Sequence, residues 1–162
     1  MAKKADTKTN AMRELEDARI TYDAYEYDTG GTVPSGTEAA RLMGLAENEV
    51  FKTLVTRGRS GGFYVFCIPG GAELDLKKAA RAVGEKNIEM IPQKDLFART
   101  GYIHGGCSPL AMKKRFPTVL ADQAKELDSF VVSGGRIGLS VRVSPEELAR
   151  HLGASFADVV RV

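Results

Sequence analysis

The sequence predicts an α+β domain built on a mixed β-sheet, and three observations support this fold class. Predicted strands outnumber predicted helices, several neighbouring strands are joined by short hairpin connections, and the helices are dispersed between the strands. The chain has 162 residues, of which 43% are hydrophobic and 27% are charged. This length and composition are typical of one globular domain, spanning residues 1–162, that buries a sizeable core. Residues 1–9 are polar, and we expect them to be loose.

Helices are predicted where apolar residues recur at helical spacing behind a capping residue. Residues 35–38 and 144–147 have the form of capping boxes, and Asp75 is a good N-cap. Glycines then follow the last apolar positions of these three helices, as expected at helix C-termini. The predicted helices cover residues 10–19, 35–44, 75–84, 92–99 and 144–152.

Strands are predicted where β-branched and aromatic residues alternate, or form short apolar runs between turn residues. Residues 50–57 and 62–68 read as paired strands joined by the glycine-containing connection 58–61. The other predicted strands cover residues 20–27, 87–91, 118–121, 129–133, 137–143 and 154–160.

Composition excludes several classes of function. The net charge of +2 is too small to indicate nucleic-acid binding by itself, so such binding needs a local patch such as residues 113–115. No apolar run approaches the roughly 18–20 residues that span a bilayer, and no secretory signal follows the N-terminal lysines. Cys67 and Cys107 lie 40 residues apart without metal-type spacing. We therefore expect a cytoplasmic protein with two free thiols and no membrane association.

The segment from Thr100 to Pro109 contains three glycines and a proline in a short stretch. Such a loop can bring backbone N–H and C=O groups close to a ligand, and the basic residues at 113–115 indicate that this ligand is anionic. The alternative is a tight connection followed by a solvated basic segment. His104 and Cys107 in this loop are weak candidates for a general base and a nucleophile. With only His104 and His151 in the chain, a histidine-rich metal site is excluded, and no metal or organic cofactor is expected.

Lys52 interrupts an apolar segment that runs from Val50 to Val55. Alternation along a strand places it on the same face as Val50 and Leu54. A lysine among apolar neighbours is costly to bury unless it meets an anion or hydrogen-bond acceptors. Lys52 is therefore a candidate ligand-binding residue, and the alternative is a lysine that snorkels at a sheet edge.

Five segments, in order along the chain, resemble the YbaK/EbsC family of aminoacyl-tRNA deacylases, relatives of the editing domain inserted in bacterial prolyl-tRNA synthetases. They include Val50-Phe-Lys-Thr-Leu-Val55 and the Gly105-x-x-x-Pro109 signature. The other segments are residues 74–78, 113–117 and 132–139. The resemblance runs from about Arg19 to the C-terminus and implies a curved, barrel-like mixed sheet flanked by helices.

The resemblance also implies a catalytic site. Lys52 matches the lysine that positions the 3′ end of the tRNA. Gly105, together with Gly106 and Pro109 as substrate-binding residues, matches the loop whose backbone holds the aminoacyl ester and shapes the amino-acid pocket. Ester cleavage builds negative charge on the carbonyl oxygen, and fixed N–H donors stabilise that charge.

Ser133 is the third catalytic residue that the resemblance implies, and Tyr25 and Ser140 are further substrate-binding residues. From the residues alone, Ser133 is equally a turn serine bonded to its own backbone, and Tyr25 is equally a core or surface tyrosine. Many relatives that act on cysteinyl-tRNA carry an aspartate where this chain has Ser140, which leaves the amino-acid specificity open.

The implied function is removal of the amino acid from mischarged tRNA, foremost cysteinyl-tRNA with the proline anticodon. In that reaction the thiol of the cysteinyl group attacks its own ester, and the amino acid is released as a thiolactone. Because the attack is intramolecular, proximity supplies much of the rate. One alternative is removal of another small residue, such as alanine, and another is a non-catalytic tRNA-binding module. Besides tRNA, prolyl-tRNA synthetase is an implied partner.

Overall fold

The computed structural model describes residues 8–162, which form five α-helices and eight β-strands. The helices are α1 (Asn10–Asp17), α2 (Gly36–Met43), α3 (Leu76–Val83), α4 (Leu96–Thr100) and α5 (Pro145–Leu152). The strands are β1 (Asp23–Glu26), β2 (Phe51–Gly58), β3 (Phe63–Pro69), β4 (Ile88–Met90), β5 (Thr118–Ala121), β6 (Phe130–Arg136), β7 (Leu139–Val143) and β8 (Ser155–Ala157). None of the helices in this described part of the chain is long and apolar enough to cross a membrane.

The strands form two sheets, and this confirms an α+β domain but corrects the prediction of one mixed sheet. Strands β1, β7 and β6 pair in that order as an antiparallel sheet. The second sheet has the order β4-β2-β3-β5-β8, with antiparallel pairs around β2 and parallel pairs on both sides of β5. The barrel-like closure implied by the resemblance stays a prediction.

The two sheets meet beside the start of β2. Val50, just before β2, forms a parallel bridge with Val131 of β6. The next residue, Phe51, packs edge to face against Phe130 with ring centroids 5.0 Å apart. All four residues are at most 5% exposed, so apolar contacts join the sheets into one core at this point.

The predicted helix caps are confirmed. Ser35 Oγ accepts a hydrogen bond from the N–H of Glu38 at 3.1 Å, and Ser144 Oγ accepts one from Glu147 at 3.2 Å. Asp75 accepts from the N–H groups of two residues of the first turn of α3 at 3.0 Å each. Each cap satisfies N–H donors that the helix itself leaves unpaired. The glycines predicted to end these helices, Gly44, Gly84 and Gly153, all adopt the left-handed conformation.

The first predicted strand is shorter than expected because its beginning belongs to the end of α1. The N–H of Ile20 donates to the carbonyl of Leu15 at 2.9 Å, after Arg19 turns the chain with φ of +59°. Ile20 is then 7% exposed and packs into the core, so β1 begins only at Asp23. Ile20 and Tyr22 on either side of Thr21 fit a strand and a turn with a buried Ile20 equally well by sequence.

The expectation that residues 1–9 are loose falls mostly outside the described residues, since these begin at Lys8. Thr9, however, is held in place. Its Oγ1 accepts from the N–H of Met12 at 3.3 Å as the N-cap of α1 and donates to the carbonyl of Gly134 at 2.6 Å. Thr9 thus ties α1 to β6.

Candidate active site

A cleft of about 330 Å³ lies where the two sheets meet, and its walls come from distant parts of the chain. The starts of β2 and β7 face it, together with the loop before α2 and the loop after α4. Four of the predicted site residues line this cleft: Lys52, Gly105, Ser133 and Ser140. Its size is typical of a small-molecule site rather than a packing defect.

Lys52 is the only cationic residue with a permanent charge among the described residues that line the cleft. It is partly buried between Val50 and Leu54, as the alternation along the strand predicted. Burial lowers the pKa of the Lys52 ammonium, and the charge of the Glu73 carboxylate opposes this effect. Within residues 8–162 no group lies at hydrogen-bond or ion-pair distance from its Nζ, and none of the lining residues is acidic. The ammonium is thus placed to receive an anionic ligand.

Gly105 forms part of the rim and has φ of +89°. An ideal Cβ at this position would lie 2.6 Å from Cγ1 of Val33 and 3.3 Å from Cγ1 of Ile137, so a side chain would collide with the rim. In the described part of the chain, the Gly105 N–H has no hydrogen-bond acceptor. A fixed N–H without an internal acceptor, at the rim of the cleft that Lys52 also lines, can bind a carbonyl oxygen that gains negative charge.

Ser133 and Ser140 are direct cross-strand partners on β6 and β7. Ser133 Oγ accepts a hydrogen bond from the N–H of Gly135 at 3.1 Å, the turn-type bond that was its alternative interpretation. The hydroxyl still lines the cleft and keeps its own hydrogen for donation. Ser140 is 5% exposed, and its Oγ lies 3.3 Å from Oη of Tyr27.

Tyr27, which sequence reasoning missed, supplies the tyrosine of the cleft, whereas Tyr25 does not line it. Tyr25 Oη instead accepts a hydrogen bond from Nε of Arg142 at 3.2 Å, while the same guanidinium donates to Glu49 at 3.1 Å. Alternation along the strand places both tyrosines on the same face. The sequence therefore indicated that a tyrosine faces the site, but not which of the two it is. The choice depends on how β1 ends. Just after Glu26, the N–H of Tyr27 donates to the carbonyl of Gly138, which also lines the cleft.

Gly106 and Pro109 lie behind the cleft and do not line it. The N–H of Gly106 donates to the carbonyl of Ile103 at 3.0 Å in a tight turn. A Cβ on Gly106 would come within 3.0 Å of the Arg136 backbone, so this glycine allows the loop to lie against β6. Pro109 is buried next to α1 and borders a separate small cavity. Both residues position the loop that carries Gly105.

Cys107 lines the cleft but is 7% exposed. Burial raises the pKa of its thiol to about 12, and nearby Cys67, which is fully buried, has a pKa raised by burial to about 12 as well. Both thiols are therefore protonated at neutral pH. His104 lines the cleft as an exposed residue, so among the described lining residues it is the remaining side chain that resembles a general base.

A second feature missed by sequence reasoning is the contact between Gly36 and Gly70, which both line the cleft. A Cβ on Gly70 would lie 2.8 Å from Cα of Gly36, so the two backbones touch directly. The N–H of Gly70 also donates to the carbonyl of Val50 at 2.7 Å. This contact sets the start of α2 against the end of β3. The paired glycines after Pro69 were its sequence signal.

Comparison with known proteins agrees with this geometry. Residues 32–151 match the family model for the aminoacyl-tRNA editing domain. The match covers most of the chain and includes all the lining residues of the cleft except Tyr27. The chain belongs to the aminoacyl-tRNA editing domain family, within which it carries the YbaK/EbsC motifs.

One relative in this family is EbsC of Enterococcus faecalis, which is provisionally named a Cys-tRNA(Pro)/Cys-tRNA(Cys) deacylase. It is 44% identical over 157 residues, covering 97% of this chain and 96% of EbsC. A solved structure described provisionally as a trans-editing enzyme for prolyl-tRNA synthetase superposes with a TM-score of 0.81 at 25% identity, over 96% of this chain and 100% of the other. The proline–tRNA ligase of Thermosipho melanesiensis is 26% identical over 98 residues, which make up 60% of this chain and 17% of the ligase.

Proposed function

We propose that this protein is a trans-acting deacylase that cleaves the ester of mischarged tRNA, foremost cysteinyl-tRNA with the proline anticodon. The observation that carries the proposal is the partly buried Lys52 ammonium, which faces a cleft without acidic lining residues in the described chain. An unpaired cation in such a cleft favours a ligand with negative charge close to the reacting group. The 3′-terminal nucleotide of an aminoacyl-tRNA has this charge in its phosphate.

In the proposed complex, Lys52 holds the 3′-terminal phosphate and the aminoacyl group enters the cleft beside Gly105. The Gly105 N–H then donates to the ester carbonyl oxygen, which becomes negatively charged as the carbonyl carbon is attacked. The Ser133 hydroxyl, whose hydrogen is free to donate, supports the same oxygen or the leaving 3′ oxygen. These groups orient and stabilise, and none of them is a nucleophile.

The attacking group is the thiol of the substrate. The Cys107 thiol is protonated at neutral pH because burial raises its pKa to about 12, so the protein offers no thiolate beside the ester. The cysteinyl sulfur forms a bond to its own carbonyl carbon, the carbon–oxygen ester bond breaks, and the thiol proton passes to the leaving 3′ oxygen, which becomes the 3′ hydroxyl of the tRNA. The products are a cyclic thiolactone and free tRNA. An attack within one molecule needs orientation more than an acid–base pair, which suits this cleft.

Ser140 favours a second candidate, the removal of alanine. It is neutral, 5% exposed and hydrogen bonded to Tyr27, and it stands where many relatives that act on cysteinyl-tRNA carry an aspartate. Alanine has no thiol, so water would have to attack and His104 would be the available base. The product would then be free alanine rather than a thiolactone. In a third, non-catalytic reading the cleft would bind tRNA without turnover.

The test is release of labelled amino acid from cysteinyl- and alanyl-tRNA with the proline anticodon, with product identification. Lys52→Ala should reduce release at least about tenfold, because a charge-assisted contact of about 1.5–3 kcal/mol is lost. Lys77→Ala, which removes an exposed lysine from α3, is the matched control and should act like wild type. Full activity of Lys52→Ala would contradict the assignment of Lys52 to the active site. If wild type releases no amino acid from either tRNA, the proposed catalysis is wrong and only a tRNA-binding module remains.

We also propose that prolyl-tRNA synthetase is a partner of this protein. Support comes from the 26% identical segment within a proline–tRNA ligase and from the solved structure described as an editing enzyme for that synthetase. A separate editing domain needs access to the tRNA that the synthetase has mischarged. Faster deacylation of cysteinyl-tRNA in the presence of the synthetase would support the partnership, and an unchanged rate would count against it.

A further inference from the structure

The segment that forms the rim of the cleft carries most of the excess positive charge of the protein. Residues 91–121 contain five lysines and arginines but a single acidic residue, Asp95, which gives this segment a net charge of +4. The whole chain carries +2, so the remaining residues together carry −2. The positive charge is thus concentrated in one segment of the chain, as expected of a protein that binds a polyanion locally.

The exposed residues of this segment combine cations with a large apolar surface. We call the set Lys94, Phe97, Arg99, Ile103 and Lys113 the basic rim. Phe97 is 57% exposed and Ile103 is 55% exposed, although each belongs to a residue type that is normally buried. Within residues 8–162, the three cations of the basic rim form no ion pair with a carboxylate.

The basic rim has a defined geometry. The N–H of Lys113 donates to the carbonyl of Thr100 at 3.0 Å, and the aliphatic stem of Lys113 lies over Gly101 at the end of α4. Its Nζ then lies 5.3 Å from the centroid of the Phe97 ring. Beside it, the guanidinium of Arg99 lies 4.6 Å from the centroid of the Phe63 ring. The two cations are therefore placed next to aromatic rings rather than extended into solvent.

The basic rim is continuous with the cleft. Leu96, the residue before Phe97 on α4, lines the cleft, and so does His104, the residue after Ile103. Any chain that leaves the cleft on this side passes over α4. In an aminoacyl-tRNA, the nucleotides that precede the esterified adenosine are unpaired, and they carry both phosphates and bases with exposed faces.

We propose that the basic rim binds these unpaired 3′ nucleotides, with a base stacked on Phe97 and phosphates held by Lys113 and Arg99. An exposed aromatic ring next to cations is the arrangement that binds single-stranded nucleic acids, because every base offers a face for stacking and every nucleotide a phosphate. The proposal rests on the proposed function, since it names how the same site holds its RNA substrate. It assigns Phe97 to RNA and not to contact with a protein partner.

Binding of uncharged RNA tests the proposal independently of catalysis. The ligand is a fluorescent acceptor-stem hairpin with unpaired 3′ nucleotides, and the comparison ligand is the same hairpin with a blunt end. Phe97→Ala should weaken binding of the first hairpin at least about fivefold, since stacking of one base is worth about 1–3 kcal/mol. It should leave binding of the blunt hairpin unchanged. Phe97→Tyr keeps an aromatic ring and should retain the wild-type affinity.

Salt dependence separates the stacked base from the phosphate contacts. Lys113→Gln should lower the slope of log K against log salt by about 0.7, the value for one phosphate of a single strand. Phe97→Ala should weaken binding without changing this slope, because it removes no charge. Lys86→Gln, at an exposed lysine outside the segment, is the matched control and should leave affinity and slope as in wild type.

Equal affinity of wild type and Phe97→Ala for the hairpin with unpaired nucleotides would overturn the proposal. An equal loss with both hairpins would overturn it too, because stacking on an unpaired base could not be its cause. If Phe97→Ala instead weakens association with the synthetase and leaves RNA binding intact, the surface is a protein interface and the proposal fails. Binding that depends on Phe97, together with absent deacylation by wild type, would retain the basic rim and reject the proposed catalysis.

Discussion

Gly105 lies directly against Val33 at the rim of the cleft, with 2.6 Å between Cγ1 of Val33 and the point where a Cβ of residue 105 would stand. The two residues come from the loop after α4 and the loop before α2. Val33 and Gly105 line the same cleft as Lys52 at the start of β2. A side chain at position 105 would therefore alter the rim and not only the loop.

Gly105→Ala should abolish most deacylation. Its φ of +89° strains any side chain by about 1 kcal/mol, and the added methyl group must displace Val33. Gly61→Ala is the matched control, because Gly61 has φ of +95° and its Cβ would meet no heavy atom within 4 Å. Both variants carry the backbone strain, and Gly105→Ala should lose more thermal stability because it must also displace Val33. Only Gly105→Ala should lower kcat/KM, by at least about tenfold, because the clash moves the Gly105 N–H away from the developing oxyanion, and loss of one such contact commonly costs more than this. Equal activities would show that the shape of the rim is unimportant.

Lys52→Met should make the protein more stable while it removes activity. Burial lowers the pKa of Lys52 below 10.5, so the unfolded chain binds this proton more tightly than the folded protein. The ammonium therefore opposes folding at every pH below its lowered pKa, and this cost disappears as the pH rises towards 10.5. Chemical denaturation should show the largest gain in unfolding free energy at neutral pH and a smaller gain near pH 10.5. Lys77→Met, at an exposed position on α3, is the control and should show no such gain in unfolding free energy.

Tyr27→Phe should lower activity, whereas Tyr25→Phe should lower stability. Tyr27 lines the cleft and its hydroxyl contacts Ser140, so its loss should lower kcat/KM about threefold or more, the value of one hydrogen bond. Tyr25 holds Arg142 outside the cleft, so its loss should reduce stability by about 1 kcal/mol and leave deacylation intact. Steady-state kinetics with thermal melts would distinguish the two. A loss of activity in Tyr25→Phe alone would restore the assignment made from the sequence.

Cys107→Ala should keep at least about half of the wild-type rate, because the thiol is protonated at neutral pH and does not attack the ester. The raised pKa of about 12 also predicts slow alkylation of Cys107 by iodoacetamide at neutral pH in the folded protein. Alkylation should become fast once the protein is unfolded, since the thiol then regains an ordinary pKa. Rapid labelling of the folded protein, with parallel loss of activity, would contradict this prediction.

Much of the local structure follows from the sequence because its causes are local. Ser35, Asp75 and Ser144 cap their helices as predicted, since a cap depends on a residue and its next three neighbours. The division into two sheets does not follow in this way. It depends on pairings such as Val65 with Thr118 and Val119 with Ser155, which join distant segments and leave no periodic signal in either.

The site shows the same division between local and distant causes. The position of Lys52 on a strand face and the conformation of Gly105 are properties of their own segments, and both residues lie where the sequence placed them. The choice of Tyr27 over Tyr25 and the contact between Gly36 and Gly70 depend on how separate segments meet. Ser133 has both a local and a distant determinant. Its hydroxyl accepts a hydrogen bond from the N–H of Gly135 in its own turn, and the residue lines a cleft built from separate segments.

The meeting of the two sheets at Val50 and Val131 has a consequence for how occupancy of the cleft can be observed. A ligand in the cleft touches residues of both sheets. It must therefore dissociate before either sheet can unfold locally without the other. Its binding free energy therefore adds to the cost of every opening that separates them. Amide hydrogen exchange should slow together in β2 and β7 when a non-cleavable aminoacyl-adenosine analogue is bound. Two sheets that exchange separately in the free protein would then behave as one cooperative unit.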